Sequence, residues 1–418
     1  MQNTKLATVA LAVSVSLLTG GAQAAAFNLN EHSASGLGRA FAGEAAIADN
    51  AAVLARNPAA MTRFDRAEFS AAATYVSPNV DMQGNGDALG GLVSSSSLDA
   101  NNVAPSAVIP AFYYIQPINE RWAVGLGVFS NFGLSTKYDE NYAAGALGGK
   151  TELTTYNINP NVAYRLNEQW SLGAGISAIH ADASLIRRAG ALSYLNSALS
   201  SDTAIVDLEG DTWAWNWNVG VLYEYNEANR FGLSYRSGST LKLKGEYSGS
   251  TTGFAKVPGK LDLELPAIAE FSGYHLVNPQ WALHYSVQWT DWSVLKELRA
   301  TSDQCSGDCF QKDLEFHDSW RYAIGTSWYV APQWTLRAGL ALDRQAAYNI
   351  ISIPDTERLW YSLGATYQIN DDLSVDLGVA YLQGDDATID ESLTTGVDVS
   401  YASQADAWLS ALQLNYRF

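Results

Sequence analysis

The chain has 418 residues and a formal net charge of −18 at pH 7, with Trp 13, Tyr 22 and Gly 34 but only Cys 2. Its length allows two soluble domains or one large barrel. The charge argues against a nucleic-acid partner, because binding phosphates needs clustered Lys and Arg.

At the N-terminus Lys5 precedes an apolar run from Leu6 to Leu18, followed by Gly20-Gly21 and the small-residue pattern Ala22-Gln23-Ala24. A short basic region, a short apolar stretch and an A-x-A site predict a secretory signal over residues 1–24, cut after Ala24. Beyond it no apolar run reaches the roughly 18 residues that a transmembrane helix needs, so a spanning structure has to be a barrel.

From Ala25 to about Asp65 the sequence is rich in small residues and glycine, as in GLGRAFAGEAAIAD, with no sustained alternation. This segment is not barrel wall. It precedes the first strand and is of a size to plug a wide lumen.

From Arg66 onward the dominant signal has period two. Trp122, Val124, Leu126 and Val128 alternate with Ala123, Gly125 and Gly127, and Trp170, Leu172, Ala174, Ile176 and Ala178 with Ser171, Gly173, Gly175 and Ser177. The pattern returns in Trp281 to Trp289, Trp334 to Leu340 and Leu373 to Tyr381, and each set lines one face of a strand. The row Trp213, Trp215, Trp217, Val219, Val221, Tyr223 could line a ligand groove, but strict period two on a barrel strand reads as a lipid-facing stripe.

Short polar turns stand ahead of these strands: Asn119-Glu120-Arg121, Asn167-Glu168-Gln169, Asn226 to Arg230, Asn278-Pro279-Gln280, Ala331-Pro332-Gln333 and Asn370-Asp371-Asp372. These six turns join seven hairpins, with an opening strand near Arg66 to Val76 and a closing strand ending at Phe418. The prediction is an all-β, 14-stranded antiparallel transmembrane barrel over residues 66–418. Longer polar stretches at Gly84 to Asn102, Asp139 to Lys150, Gly190 to Thr203 and Ala300 to Asp308 fit extracellular loops. The C-terminus, Leu412-Gln413-Leu414-Asn415-Tyr416-Arg417-Phe418, is the alternating, aromatic-ended signal typical of substrates of the outer-membrane assembly machinery. A soluble sandwich or propeller would leave so aromatic an outward face unexplained.

Cys305 and Cys309 are spaced C-x3-C in a predicted external loop, where a disulfide is the simplest reading. No further ligand stands nearby to make a metal site. The five histidines are scattered and form no nucleophile-base-acid set, so neither an enzyme nor a cofactor is expected.

Several segments resemble the FadL family of outer-membrane long-chain fatty acid transporters. They are Phe27-Asn28-Leu29-Asn30-Glu31, Ser35 to Ala40, Arg56-Asn57-Pro58-Ala59, Phe64-Asp65-Arg66, Ser130 to Leu134, Phe310-Gln311-Lys312 and Ser352-Ile353-Pro354-Asp355. The resemblance covers essentially the whole mature chain. It implies a hatch over residues 25–65 that includes Asn57, Pro58 and Ala59, and an inward kink of the third strand at Asn131, Phe132 and Gly133. It also implies ligand capture among the loops, transfer to a lumenal pocket, hatch movement and lateral release. Lateral release keeps the tail off water, avoiding about 0.8 kcal/mol per exposed methylene.

The same resemblance implies a pocket closed by Phe27, lined by Leu185 and supplied with cations by Arg187 and Lys312. Parity supports Leu185 and Arg187, since the even positions Trp170 to Ala178 face lipid. On the tenth strand the outward set Trp320, Tyr322, Ile324 and Trp328 would put Lys312 outward and His317 inward, unless a bulge intervenes. His317 therefore stands as a substitute for Lys312. The expected partners are a long-chain fatty acid, outer-membrane lipid and lipopolysaccharide, with a monomeric barrel. Uptake of neutral aromatic hydrocarbons is the alternative, and Arg187 discriminates, because a neutral ligand does not need it. A lipase or protease barrel would need a Ser-His pair or clustered acids at the strand tops, and a general porin is disfavoured by the hatch.

Overall fold

The structure, a computed structural model, describes residues 26–347, 349–394 and 397–418; the expected signal over residues 1–24 lies outside the described residues. Fourteen antiparallel strands form a closed barrel, sealed where Glu68–Gly84 pairs with Val397–Arg417. In chain order the first six are Glu68–Gly84, Ala107–Pro117, Trp122–Phe129 continued by Gly133–Lys137, Lys150–Arg165, Trp170–Arg188 and Ala204–Asn226. The seventh to tenth are each broken in two: Asn229–Arg236 and Ser239–Gly249, Val257–Leu265 and Ile268–Asn278, Trp281–Thr290 and Glu297–Thr301, Phe310–Asp313 and Ser319–Ala331. The last four are Trp334–Asp343, Arg358–Gln368, Leu373–Gly384 with its extension Ala387–Thr394, and Val397–Arg417.

The alternation of the sequence becomes two unlike faces. Outward positions such as Trp122, Leu126, Leu172, Trp217, Ile324 and Leu412 are exposed, while inward positions such as Ser70, Asn159, Asn218, Ser272 and Gln413 are buried. That is the reverse of a water-soluble protein and fits a barrel whose outer face meets hydrocarbon. The Trp213, Trp215, Trp217 row lies on this outer face, more than half of it exposed at Trp215 (66%). Aromatic pairs brace the strands beside the short turns: Trp122 with Tyr164 at 4.6 Å, Trp170 with Tyr223 at 4.5 Å, Trp281 with Trp328 at 5.3 Å and Trp334 with Tyr367 at 4.8 Å.

The tight turns form because their opening asparagines do backbone work. The Oδ1 of Asn119, Asn167 and Asn370 each accepts from two backbone N–H groups, as in Asn167 with Gln169 N and Trp170 N, both at 2.9 Å. Asn226 and Asn278 each accept from one, Ala228 N at 3.0 Å and Gln280 N at 2.9 Å. An asparagine bonded two residues onward imitates a backbone turn and fixes a short hairpin.

Ahead of the first strand, residues Ala26 to Arg63 are buried almost throughout, with one-turn helices at Ala34–Leu37 and Val53–Arg56 and a 3-10 helix at Pro58–Arg63. Their backbone is satisfied by inward side chains of the wall. Arg230 donates to Ala46 O and Ile47 O, both at 2.7 Å, Arg236 to Ala55 O at 3.0 Å, Arg321 to Ala40 O at 3.0 Å and Arg165 to Thr62 O at 2.6 Å. Gln413 and Ser286 accept from Ala34 N and Gly43 N. Asn57 is fully buried, caps the 3-10 helix through Ala59 N at 3.0 Å and donates to Val221 O of the wall. Gly173 and Gly220 of the wall let this segment approach, since a Cβ at either would overlap Ala59 or Asn57.

Candidate functional site

The third strand stops at Phe129 and resumes at Gly133, so Ser130, Asn131 and Phe132 leave the ladder. Below the break its partner in the second strand is Phe112–Pro117; above it Gly133–Lys137 pairs only with the fourth strand. The second strand from Ala107 to Ala111 therefore has a partner on one side only, the first strand. A cavity of about 1060 Å³ occupies this unpaired stretch. Inward-facing Ile109 and Phe129, Leu29 of the N-terminal segment and outward-facing Val108, Phe112 and Val128 all line it, so it reaches from the lumen to the outer wall.

Every polar group freed by the break needs a partner at this depth. The fourth strand supplies some: Thr155 Oγ1 donates to Phe132 O at 2.6 Å, and Asn157 Nδ2 to Phe129 O at 3.2 Å and Asn131 Oδ1 at 2.8 Å. The N-terminal segment supplies others. Leu29 N donates to Asn131 O at 2.7 Å, Gly133 N donates to Phe27 O at 3.0 Å, and Asn28 stands opposite Phe132 as an antiparallel bridge. His32 Nε2 lies 3.0 Å from Ser130 O.

Gly133 serves here by its size and not by unusual backbone angles. It is absent from the left-handed region, and a Cβ there would come within 3.1 Å of Leu29 Cδ1. Phe27 packs edge-on against Trp292 at 4.5 Å and Phe132 at 6.2 Å, with Trp292 and Phe132 6.0 Å apart. Trp292 is fully buried in the break of the ninth strand, and its Nε1 has no hydrogen-bond partner among the described residues. The start of the segment is held from above, where Asp355 Oδ1 accepts from Ala26 N at 3.0 Å while pairing with Arg358 at 2.8 Å.

Leu185 and Phe27 belong to one buried apolar cluster that also contains Leu208, Leu241 and Leu261. Alternation in the fifth strand runs without a slip up to Arg187, and the register shifts only between Arg187 and Arg188. Arg187 accordingly points inward, with a side chain 4% exposed. It donates to Lys150 O at 3.0 Å, Ile186 O at 2.9 Å and Thr151 Oγ1 at 3.0 Å, and forms no ion pair among the described residues. Arg230 and Arg236 are likewise buried without a carboxylate, but they hold carbonyls of the N-terminal segment.

Lys312 and His317 reverse the parity expectation. Residues 314–318 leave the tenth strand, so counting back from Trp320 across them fails. His317 is exposed beside Trp320 and Tyr322 and is not lumenal, which removes it as the substitute. Lys312 is half-buried, its Nζ 2.6 Å from the Oε2 of Glu391, a carboxylate only 4% exposed. Glu391 stands in the extension of the thirteenth strand, where no sequence pattern singles it out, and its charge also acts on Arg187. Cys305 and Cys309 are bonded to each other in the loop between the ninth and tenth strands.

The family model described as outer membrane protein transport protein (OMPP1/FadL/TodX) matches residues 15–418. The long-chain fatty acid transport protein of Escherichia coli O6:H1 is 42% identical over the whole of both chains, and the 47 kDa outer membrane protein of Pasteurella multocida is 43% identical, again over the whole of both. Among solved structures, a Pseudomonas aeruginosa FadL homologue superposes with a TM-score of 0.84 at 23% identity, covering 94% of this chain and 100% of the other. The Ralstonia pickettii toluene transporter TbuX gives 0.67 at 17% identity, covering 93% of this chain and 99% of the other. A closed barrel with an apolar outer face, an interrupted third strand and a full-length family match together make this chain an outer-membrane β-barrel of the OMPP1/FadL/TodX transport family.

Proposed function

We propose that the protein carries long-chain fatty acids across the outer membrane, with no catalytic step, and that residues 25–65 act as its hatch. The joint between Phe27–Leu29 and Asn131–Gly133 carries this reading. It sets a removable segment against the one stretch where the second and third strands part, beside a cavity that reaches the outer face. Ligand captured among the loops passes to the apolar pocket of Phe27 and Leu185; the N-terminal segment then withdraws, and the ligand leaves through the wall at the kink.

Arg187 favours an acid as substrate. A buried guanidinium with only neutral acceptors is a poor resting state for a charge, and a carboxylate would pair with it in the planar fork that arginine offers. The named relatives in Escherichia coli are fatty acid transport proteins, which agrees. Uptake of neutral aromatics is the second reading, favoured by the ring cluster of Phe27, Phe132, Trp292 and Phe316 and by the likeness in fold to proteins named as toluene transporters. In this reading of the whole chain, residues 1–24 are the export signal, the assembly machinery inserts a monomer, and lipid and lipopolysaccharide surround it.

The test is equilibrium binding of oleate and oleyl alcohol to the wild type and to Arg187→Ala. Loss of a charged hydrogen bond of about 1.5–3 kcal/mol should weaken oleate roughly tenfold or more. The alcohol should bind as before. Equal losses for both ligands would exclude Arg187 as the carboxylate partner.

A further inference from the structure

Lys312, the second cation that the family resemblance implies beside Arg187, already holds a carboxylate. Glu391 is buried, with Oε2 on Lys312 Nζ at 2.6 Å and Oε1 accepting from Ile351 N at 2.7 Å. Ile351 begins a junction in the loop before the twelfth strand. Tyr138 donates to Ile351 O at 2.5 Å and Thr136 Oγ1 to Ser352 O at 2.9 Å, both from the third strand at or just past its resumed part. Four residues on, Asp355 accepts from Ala26 N. One short loop thus ties Glu391, the far side of the kink and the first residues of the hatch.

We propose that Glu391 is the resident counter-ion of the headgroup site, displaced from Lys312 by the substrate carboxylate, and that its displacement loosens the Ile351–Asp355 loop and frees the N-terminal segment. The proposal rests on the fatty acid reading above. A substrate carboxylate held on Arg187 that also reaches Lys312 competes there with Glu391, since like charges at contact distance disfavour each other's ionised form. Glu391 has a single backbone N–H to hold it once the lysine is taken, and that N–H belongs to the loop it would drag. A neutral amphiphile has no charge with which to compete, so only an acid opens the latch. Binding energy is thereby converted into a population shift of the segment, as coupling between two sites requires.

Purified full-length barrel in detergent micelles is titrated with oleate and with oleyl alcohol. Glu391→Gln keeps an acceptor for Ile351 N and removes the competing charge. Oleate binding should tighten by about tenfold, while the alcohol is unchanged. Glu391→Asp, which keeps the charge, should stay near the wild type; an equal gain there would assign the effect to space and overturn the proposal, as would unchanged or weaker oleate binding in Glu391→Gln. In the wild type, oleate should speed hydrogen exchange at Leu29 and Gly133 and oleyl alcohol should not. Saturating oleate that leaves both amides protected would refute the coupling. A wild type that binds oleyl alcohol but not oleate would instead bring down the fatty acid reading itself.

Discussion

Glu31 is fully buried two residues past the stretch that meets the kink, with Oε2 unpartnered among the described residues. Burial pushes its carboxyl from the ordinary 4.5 up to about 7, against the pull of nearby Arg56 and its own backbone N–H. A carboxyl raised in the docked state stabilises docking most below its ordinary value, and that contribution is lost as the pH rises through about 7. Hydrogen exchange at residues 27–33 should therefore quicken between pH 6 and pH 8 in the wild type, by roughly tenfold. That step is read as the protection factor, after division by the intrinsic amide rate, which itself rises about tenfold per pH unit; in Glu31→Gln the protection factor should show no such step. Parity gave the inward direction of Leu185 and Arg187, which the resemblance had singled out, because nothing interrupts the fifth strand before Arg187. It could not place Lys312, because the departure of residues 314–318 carries no glycine or proline to announce it. Glu391 and Trp292 were invisible for a related reason: each gains its meaning from a partner far away in the chain.

The strands were legible wherever side chains alternate and an asparagine marks the turn. The strand count therefore follows from the turns, although the first strand begins at Glu68 and runs on to Gly84, beyond the expected Val76. The breaks were less legible. Pro266 lacks an N–H and accounts for one of them, but the breaks at Asp291 to Lys296 and at Leu314 to Asp318 are dictated by packing into the lumen. The N-terminal segment could be told from wall by its missing alternation, not by any signal for its contacts with Arg230, Arg236 or Gly173. Those contacts give a prediction for the element. Gly173→Val forces a side chain into Ala59, and overpacking of this kind costs about 1–3 kcal/mol. The variant barrel should still assemble, yet pass small hydrophilic solutes in liposome swelling, where the wild type should not. Retained closure would show that the Pro58–Arg63 helix does not depend on this approach.

In the mechanism proposed for the whole molecule, closure of the barrel, the segment in front of it and the parting of two strands act as one device, with residues 27–29 and 131–133 as its joint. Deleting Ser130 to Phe132 should let the third strand pair without interruption, leaving capture of ligand at the outer loops and lowering uptake by cells towards background. A more direct measurement locks the joint itself. Asn28 and Phe132 face each other between two backbone hydrogen bonds, the antiparallel arrangement with the closest Cα approach, at about 4.5 Å, which a disulfide can bridge. Asn28→Cys combined with Phe132→Cys should take up labelled oleate when reduced and fall to background when oxidised. Wild-type cells given the same treatments control for the native Cys305–Cys309 bond. Uptake at the reduced rate by fully cross-linked barrels would contradict release through the kink.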